Sequence, residues 1–244
     1  MGIERFPKVL VGTPTYDGKE YCREEFVKVV QNLDYPNYRW LIVDNSAKPS
    51  YYHKLRRQHP TNVARVSRGK NSRDALANAS NYLRKKVLEE GYEYLLMLES
   101  DIFPPPDVIW RLLQHGKSVV GAPYQIGFGN NKRLCIFVTE YKPEMGMAGT
   151  RIVTVEEERH FINNGVQQIH GMGVGCVLIH RSILERFAFW YSTADDDRMV
   201  LSDVRKHPDV YFYMDLHNAH IPVFIDTDIV CRHENSDWKL VKDI

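Results

Sequence analysis

The chain has 244 residues, 43% apolar and 26% charged, a globular composition that excludes a disordered protein. Its formal net charge of +1 excludes any general electrostatic drive toward nucleic acid or an anionic membrane. Cys22, Cys135, Cys176 and Cys231 are scattered without a Cys-x-x-Cys pair, which points away from both a zinc site and a disulfide framework.

Residues 8–18 (KVLVGTPTYDG) form a short apolar strand that breaks at a Gly/Pro/Thr turn. Residues 22–36 carry apolar side chains at helical spacing and stop at Pro36. A second strand, 39–50, ends in a carboxylate, Asp44, and 51–58 is a short helix. Residues 62–72 lead into an alanine- and leucine-rich helix over 73–91, closed by Gly91. The next strand, YEYLLMLESD, ends in Glu99 and Asp101 before three prolines. A helix over 106–116, with proline at its start and glycine at its end, precedes a strand over 118–124.

Alternating strands and helices predict a parallel sheet covered by helices, with ligands outside the carboxyl ends of the strands. That rule puts Thr13–Tyr16, Asp44 and Glu99/Asp101 on one rim.

The second half is less regular. Residues 135–142 and 150–158 predict a hairpin, and 171–187 a glycine-rich turn, a buried strand and a helix. The acidic segment 192–207 has no period and is expected to be a mobile lid. Residues 220–238 predict strand, turn, strand, reaching His233. Gly171, Gly173 and Gly175 precede a strand and not a helix, so a tight turn or a close backbone approach to an acceptor sugar fits them better than a phosphate loop.

Buried carboxylates are costly unless paired, hydrogen-bonded or bound to a cation. Two of them bracketing one residue can reach a single Mg²⁺ or Mn²⁺, which would neutralise a diphosphate. Alone, the pair is equally what an ordinary polar turn carries.

The order TPTYD, LIVDNS, SRDALANA, LLMLESDIFPPPDVIWRLLQHGKSVVGAPY resembles the nucleotide-sugar-binding half of GT-A-fold glycosyltransferases, above all family 2-like members. Glu99-Ser100-Asp101 stands as a variant of their D-x-D motif. GMGVGCVLIHRSILERF is similar to their glycine-containing strand and helix near the acceptor site. PDVYFYMDLHNAHIPVFIDTDIVCRH is similar to their E-D helix and the strand pair that ends in a metal-ligating histidine. The resemblance covers roughly residues 8–124 and 168–234.

It implies an α/β fold of GT-A (Rossmann-like) type: a mostly parallel sheet flanked by helices, with a smaller mixed sheet on the acceptor side. One domain over 1–244 is implied, with a nucleotide-sugar-binding half (1–124) and an acceptor-binding, catalytic half (125–244). The implied activity is metal-dependent, inverting transfer of a sugar, of hexosyltransferase type, from a nucleoside-diphosphate sugar to an acceptor hydroxyl.

Thr13, Pro14 and Tyr16 would line the nucleobase pocket, Asp44 would bond base or ribose, and Arg73 would face the nucleotide. Ser100 belongs to the same donor site. Asp101 would ligate Mn²⁺ or Mg²⁺, Glu99 metal or ribose, and His233 would be the third ligand. Asp209 takes the place of the catalytic base, ahead of Asp203 and Asp215. The family's Glu-Asp is here Pro208-Asp209, which keeps a helix start but loses one carboxylate.

Two alternatives stand beside this: a nucleotidyltransferase, and a non-catalytic sugar- or nucleotide-binding module of the same fold. The first would want a glycine-rich basic loop after strand one, where VGTPTYDGKE has one lysine. UDP-sugars are the favoured donors, although nothing in TPTYD or Asp44 decides between uracil and guanine. The acceptor is open; basic residues at 53–70 are compatible with modified DNA and equally with a solvated face. Tyr124, Trp190 and Tyr191 are expected in core packing before sugar stacking. No signal peptide and no run of about 18 apolar residues is present, so a cytoplasmic protein without a membrane segment is expected.

Overall fold

The computed structural model describes residues 6–127, 132–142, 147–192 and 207–234. The first half contains β1 (Val9–Thr15), α1 (Arg23–Gln31), β2 (Tyr38–Asp44), α2 (Ser50–Gln58), β3 (Val63–Arg65), α3 (Ser72–Glu89), β4 (Tyr94–Leu98), β5 (Ile102–Phe103), α4 (Val108–Gln114) and β6 (Val119–Gly121). The second contains β7 (Gln125–Ile126), β8 (Arg133–Leu134), β9 (Ile136–Lys142), β10 (Met147–Ile152), α5 (Val155–Glu158), β11 (Val166–Ile169), β12 (Gly171–Met172), β13 (Cys176–His180), α6 (Arg181–Arg186), α7 (Pro208–Asn218), β14 (Val223–Asp226) and β15 (Arg232–His233).

Eight strands make the main sheet, in the order β11-β14-β6-β13-β4-β1-β2-β3. From β4 through β1 and β2 to β3 all pairs are parallel. β13 enters antiparallel between β4 and β6, and β14 runs parallel to β6. A smaller antiparallel sheet has the order β10-β9-β12.

The central strands are apolar because both of their faces are covered. Every residue of β1 is buried, as is Leu95–Leu98 of β4. α3 lays Ala75, Ala79, Leu83 and Val87 on this sheet, one residue every four along its inner face. Burying a leucine or valine there contributes about 1.5–3 kcal/mol. Asn71 starts the helix: its side-chain oxygen accepts from the backbone N–H of Arg73 (2.8 Å) and Asp74 (3.0 Å).

Three local expectations are corrected. Val63–Arg65 is an edge strand and not merely a lead into α3, because it finds a parallel partner in β2. α1 ends at Gln31, a turn before Pro36. The strand expected over 150–158 stops at Ile152, where Thr154 and Glu157 close a reciprocal cap and turn the chain into α5. The lid expected over 192–207 falls almost wholly outside the described residues. Among the described residues, no helix is long and apolar enough to cross a membrane.

Candidate functional site

The parallel strands end together, and a cleft of about 290 Å³ opens beyond them. Pro14, Thr15 and Tyr16 wall it from β1, and Lys19 from the 3₁₀ turn that follows. Asn45 comes from the end of β2, Arg68 and Ser72 from the entry to α3, and Glu99, Ser100 and Asp101 from the end of β4. The placement follows from chain direction: in parallel strands the carboxyl ends share one edge.

Asp101 is 2% exposed. Its Oδ2 contacts the Lys19 ammonium and lies 3.2 Å from His233 Nε2. Burial would raise this carboxyl, but His233 and Lys19 outweigh it and hold Asp101 below the usual carboxylate range. His233 arrives on β15, which pairs antiparallel with β5 so that His233 faces Ile102, next to Asp101 in sequence. Its Nδ1 lies 2.7 Å from the Gln125 carbonyl and donates there, leaving Nε2 to face the carboxylate. Burial alone would lower the imidazole; the Asp101 carboxylate reverses this and raises it.

Glu99 is half-buried in the cleft wall. Burial first, and then the charge of Asp101, push it up to about 7. Asp209, the second residue of α7, is half-buried, and its negative charge is felt at Glu99. Burial raises Asp209 as well, while its Oδ1 accepts from the Val210 N–H at 2.9 Å. Glu99, Asp101, Asp209 and His233 therefore share one electrostatic neighbourhood, although 134 positions separate the first from the last.

Tyr124 joins the two halves. Its ring meets that of His233 edge-on, with centroids 5.4 Å apart. A Cβ on Gly173 would lie 2.0 Å from the Tyr124 hydroxyl, and one on Gly175 2.6 Å from its ring. These glycines make room for the tyrosine that backs the histidine, so what comes close to them is the Tyr124 side chain. Tyr124 is buried, so it is a packing residue and not a sugar platform.

Other expected site residues sit differently. Thr13 turns away from the cleft, and its buried hydroxyl accepts from the Trp40 indole at 3.0 Å. Pro14, the next residue of β1, points the opposite way and lines the cleft. Asp44 is fully buried: its Oδ1 accepts from the Ser46 N–H (3.1 Å) and hydroxyl (2.5 Å), and its Oδ2 lies 3.5 Å from Arg65 Nε. Asn45, its neighbour, lines the cleft instead. Ser100 is buried, with its hydroxyl 3.0 Å from that of Thr15.

The Arg73 guanidinium lies over the Tyr191 ring at 5.4 Å, whereas Arg68 lines the cleft and lies 5.5 Å from the Tyr16 ring centre. Arg68 and Lys19 are the cationic groups that sequence reasoning missed, both on irregular turns where no period marks orientation. Tyr191 donates to Asp74 at 2.7 Å, and Trp190, 46% exposed, donates to Asp215 at 2.6 Å.

Among the described residues, no three His, Cys, Asp or Glu side chains form a converged metal cluster. Asp101 and His233 still offer a fitting donor pair. They bring an oxygen and a nitrogen, of types that divalent cations take, to within 3.2 Å of each other. Asp101 Oδ1 is buried with no hydrogen-bond partner among the described residues, an orphan that a cation would satisfy.

No protein-family profile matches the chain, and no curated protein matches it in sequence. Solved structures do. GalNAc-T7 with UDP, GalNAc and Mn²⁺ superposes with a TM-score of 0.62 at 12% identity, over 95% of this chain and 44% of that one. TarS 1–349 of S. aureus in complex with UDP gives 0.55 at 13%, over 96% of this chain and 62% of that one. A197 from STIV gives 0.51 at 15%, over 94% of this chain and 87% of that one. What is shared at such identity is the fold, and it is the GT-A glycosyltransferase fold expected from the sequence. The chain spans less than two thirds of the length of GalNAc-T7 and TarS 1–349.

Proposed function

We propose that this protein is a metal-dependent, inverting glycosyltransferase that moves a sugar from a nucleoside-diphosphate sugar, UDP-linked by preference, to an acceptor hydroxyl. The observation that carries it is the meeting of Asp101 with His233 Nε2, 132 positions apart, in the cleft where the parallel strands end. UDP in GalNAc-T7 and TarS, and Mn²⁺ in GalNAc-T7, support the choice of donor and cation.

Asp101 and His233, with Glu99 beside them, would hold a divalent cation, whose charge would stabilise a departing diphosphate. The remaining work belongs to the chain. Pro14 and Tyr16 flank the base, and Asn45 lines the same wall. Asp44 acts from beneath through Ser46 and Arg65, while Thr13 and Arg73 support the site through Trp40 and Tyr191. Arg68 and Lys19 bring positive charge to the place of the phosphates.

Asp209 takes the acceptor's proton as the hydroxyl attacks opposite the leaving group, which inverts the anomeric centre. Its raised pKa suits a base in a half-buried pocket. All four cysteines are buried free thiols, which supports a reducing, cytoplasmic setting.

The test is a thermal-shift panel of UDP, GDP, ADP, CDP and TDP, with Mn²⁺ or with chelator. Stabilisation by one diphosphate only with metal is expected, followed by NMR of the product anomer. No shift with any diphosphate would sink the proposal.

A further inference from the structure

The 3₁₀ turn Asp17–Cys22 carries Lys19 from the end of β1 across the cleft to Asp101. The lysine side chain is 27% exposed and the aspartate 2%, so the ammonium reaches inward from the solvent side. It contacts Oδ2, the same oxygen that His233 faces, and leaves Oδ1 without a hydrogen-bond partner among the described residues. Glu99 adds negative charge to the surroundings of the ammonium. Lys19 therefore occupies the side of the carboxylate that a cation would use, without satisfying the whole group. Its base is fixed by the Lys19 N–H donating to the Tyr16 carbonyl at 2.9 Å, whereas its stem has four rotatable carbons and its ammonium is a point charge. Lys19 also lines the cleft in which a diphosphate would lie.

We propose that Lys19 is an internal counter-ion: it neutralises Asp101 in the nucleotide-free protein and transfers to the diphosphate when a divalent cation takes the carboxylate. The proposal rests on the donor-site reading above. It assigns one side chain two partners in turn, so its removal has effects of opposite sign. Without Lys19 a divalent cation meets one like charge fewer at Asp101, and binds the nucleotide-free protein more tightly. The diphosphate loses a cationic partner, so nucleotide binds the metal-loaded protein more weakly. A lysine that merely props the turn would, on removal, weaken both.

The experiment measures Mn²⁺ binding to the nucleotide-free protein by electron paramagnetic resonance of the free ion. UDP binding is measured by calorimetry at saturating Mn²⁺. Both are run on wild type, Lys19→Met and Lys19→Arg, with melting temperatures alongside and Lys19→Gln in reserve should the methionine variant not fold. Lys19→Met is expected to bind Mn²⁺ about tenfold more tightly and UDP about tenfold more weakly. Lys19→Arg keeps both affinities close to wild type. Mn²⁺ affinity that is unchanged, weaker or absent in Lys19→Met overturns the proposal. Wild type that binds no UDP with Mn²⁺ fails the donor-site reading instead, whereas wild type that binds UDP beside an unresponsive Lys19→Met fails only the counter-ion.

Discussion

From β1 to β4 the cleft residues follow directly on their strands: Tyr16 and Lys19 after β1, Asn45 after β2, Glu99 and Asp101 after β4. Beyond residue 124 the contributions arrive by another route. His233 is set by a two-residue strand paired with β5, and Asp209 by the start of a helix whose Tyr213 ring packs 2.8 Å from where a Gly171 Cβ would stand. In the first half a side chain's place follows from strand direction, which short-range patterning specifies. In the second it follows from contacts between segments far apart in sequence. Substitutions in the first region should therefore strike donor and metal binding directly, whereas substitutions in the second should strike turnover, or strike binding only through packing.

The largest expected effect tests the first region. Asp101→Ala should abolish Mn²⁺-dependent stabilisation by UDP, read as the shift in melting temperature; a retained shift would move the cation elsewhere in the cleft. Next comes the carboxylate supplied by α7. Asp209→Asn should lower turnover by about 10²–10⁴-fold while the UDP dissociation constant stays near wild type, as steady-state kinetics and calorimetry would separate. A matching loss of UDP affinity would make Asp209 a donor residue and blur the contrast between the halves.

Gly173→Ala is the sharpest probe of packing, because the new Cβ would lie 2.0 Å from the Tyr124 hydroxyl. A cost of about 1–3 kcal/mol in denaturant unfolding is expected, together with weaker Mn²⁺ binding, although residue 173 contributes no ligand atom. Wild-type metal affinity in that variant would show that Tyr124 does not hold His233.

The smallest effect lies farthest from the cleft. Arg151 first, and then the backbone N–H of Thr154, hold Glu157 down to about 2. A depressed carboxylate contributes stability that is present above its ordinary value of 4.5 and lost as pH falls toward 2. Glu157→Gln should remove that acid-side dependence, keep the cap on the Thr154 N–H, cost about 0.2–1 kcal/mol near neutrality through the lost charge on Arg151 and leave UDP binding unchanged.

Much of this was legible in the chain itself. Apolar runs such as Leu95–Leu98, the helical spacing of Ala75, Ala79 and Leu83, and Pro208 at a helix start are all local signals. Those signals placed Glu99 and Asp101 at a strand end and on a common rim with Tyr16. Strand alternation also held the reason that Thr13 faces Trp40 while Pro14 faces the cleft.

The sequence by itself thus determined the strands, their direction and the acidic rim, because a period of two or 3.6 residues is set by neighbours along the chain. Only the tertiary structure decided that Arg68 and not Arg73 lines the cleft, that Lys19 reaches Asp101, and that His233 turns Nε2 toward the same carboxylate. Those outcomes depend on where a side chain ends and not on where it starts. The partners that fix the ends (Tyr191 for Arg73, Gln125 and Tyr124 for His233) lie more than a hundred positions away in sequence.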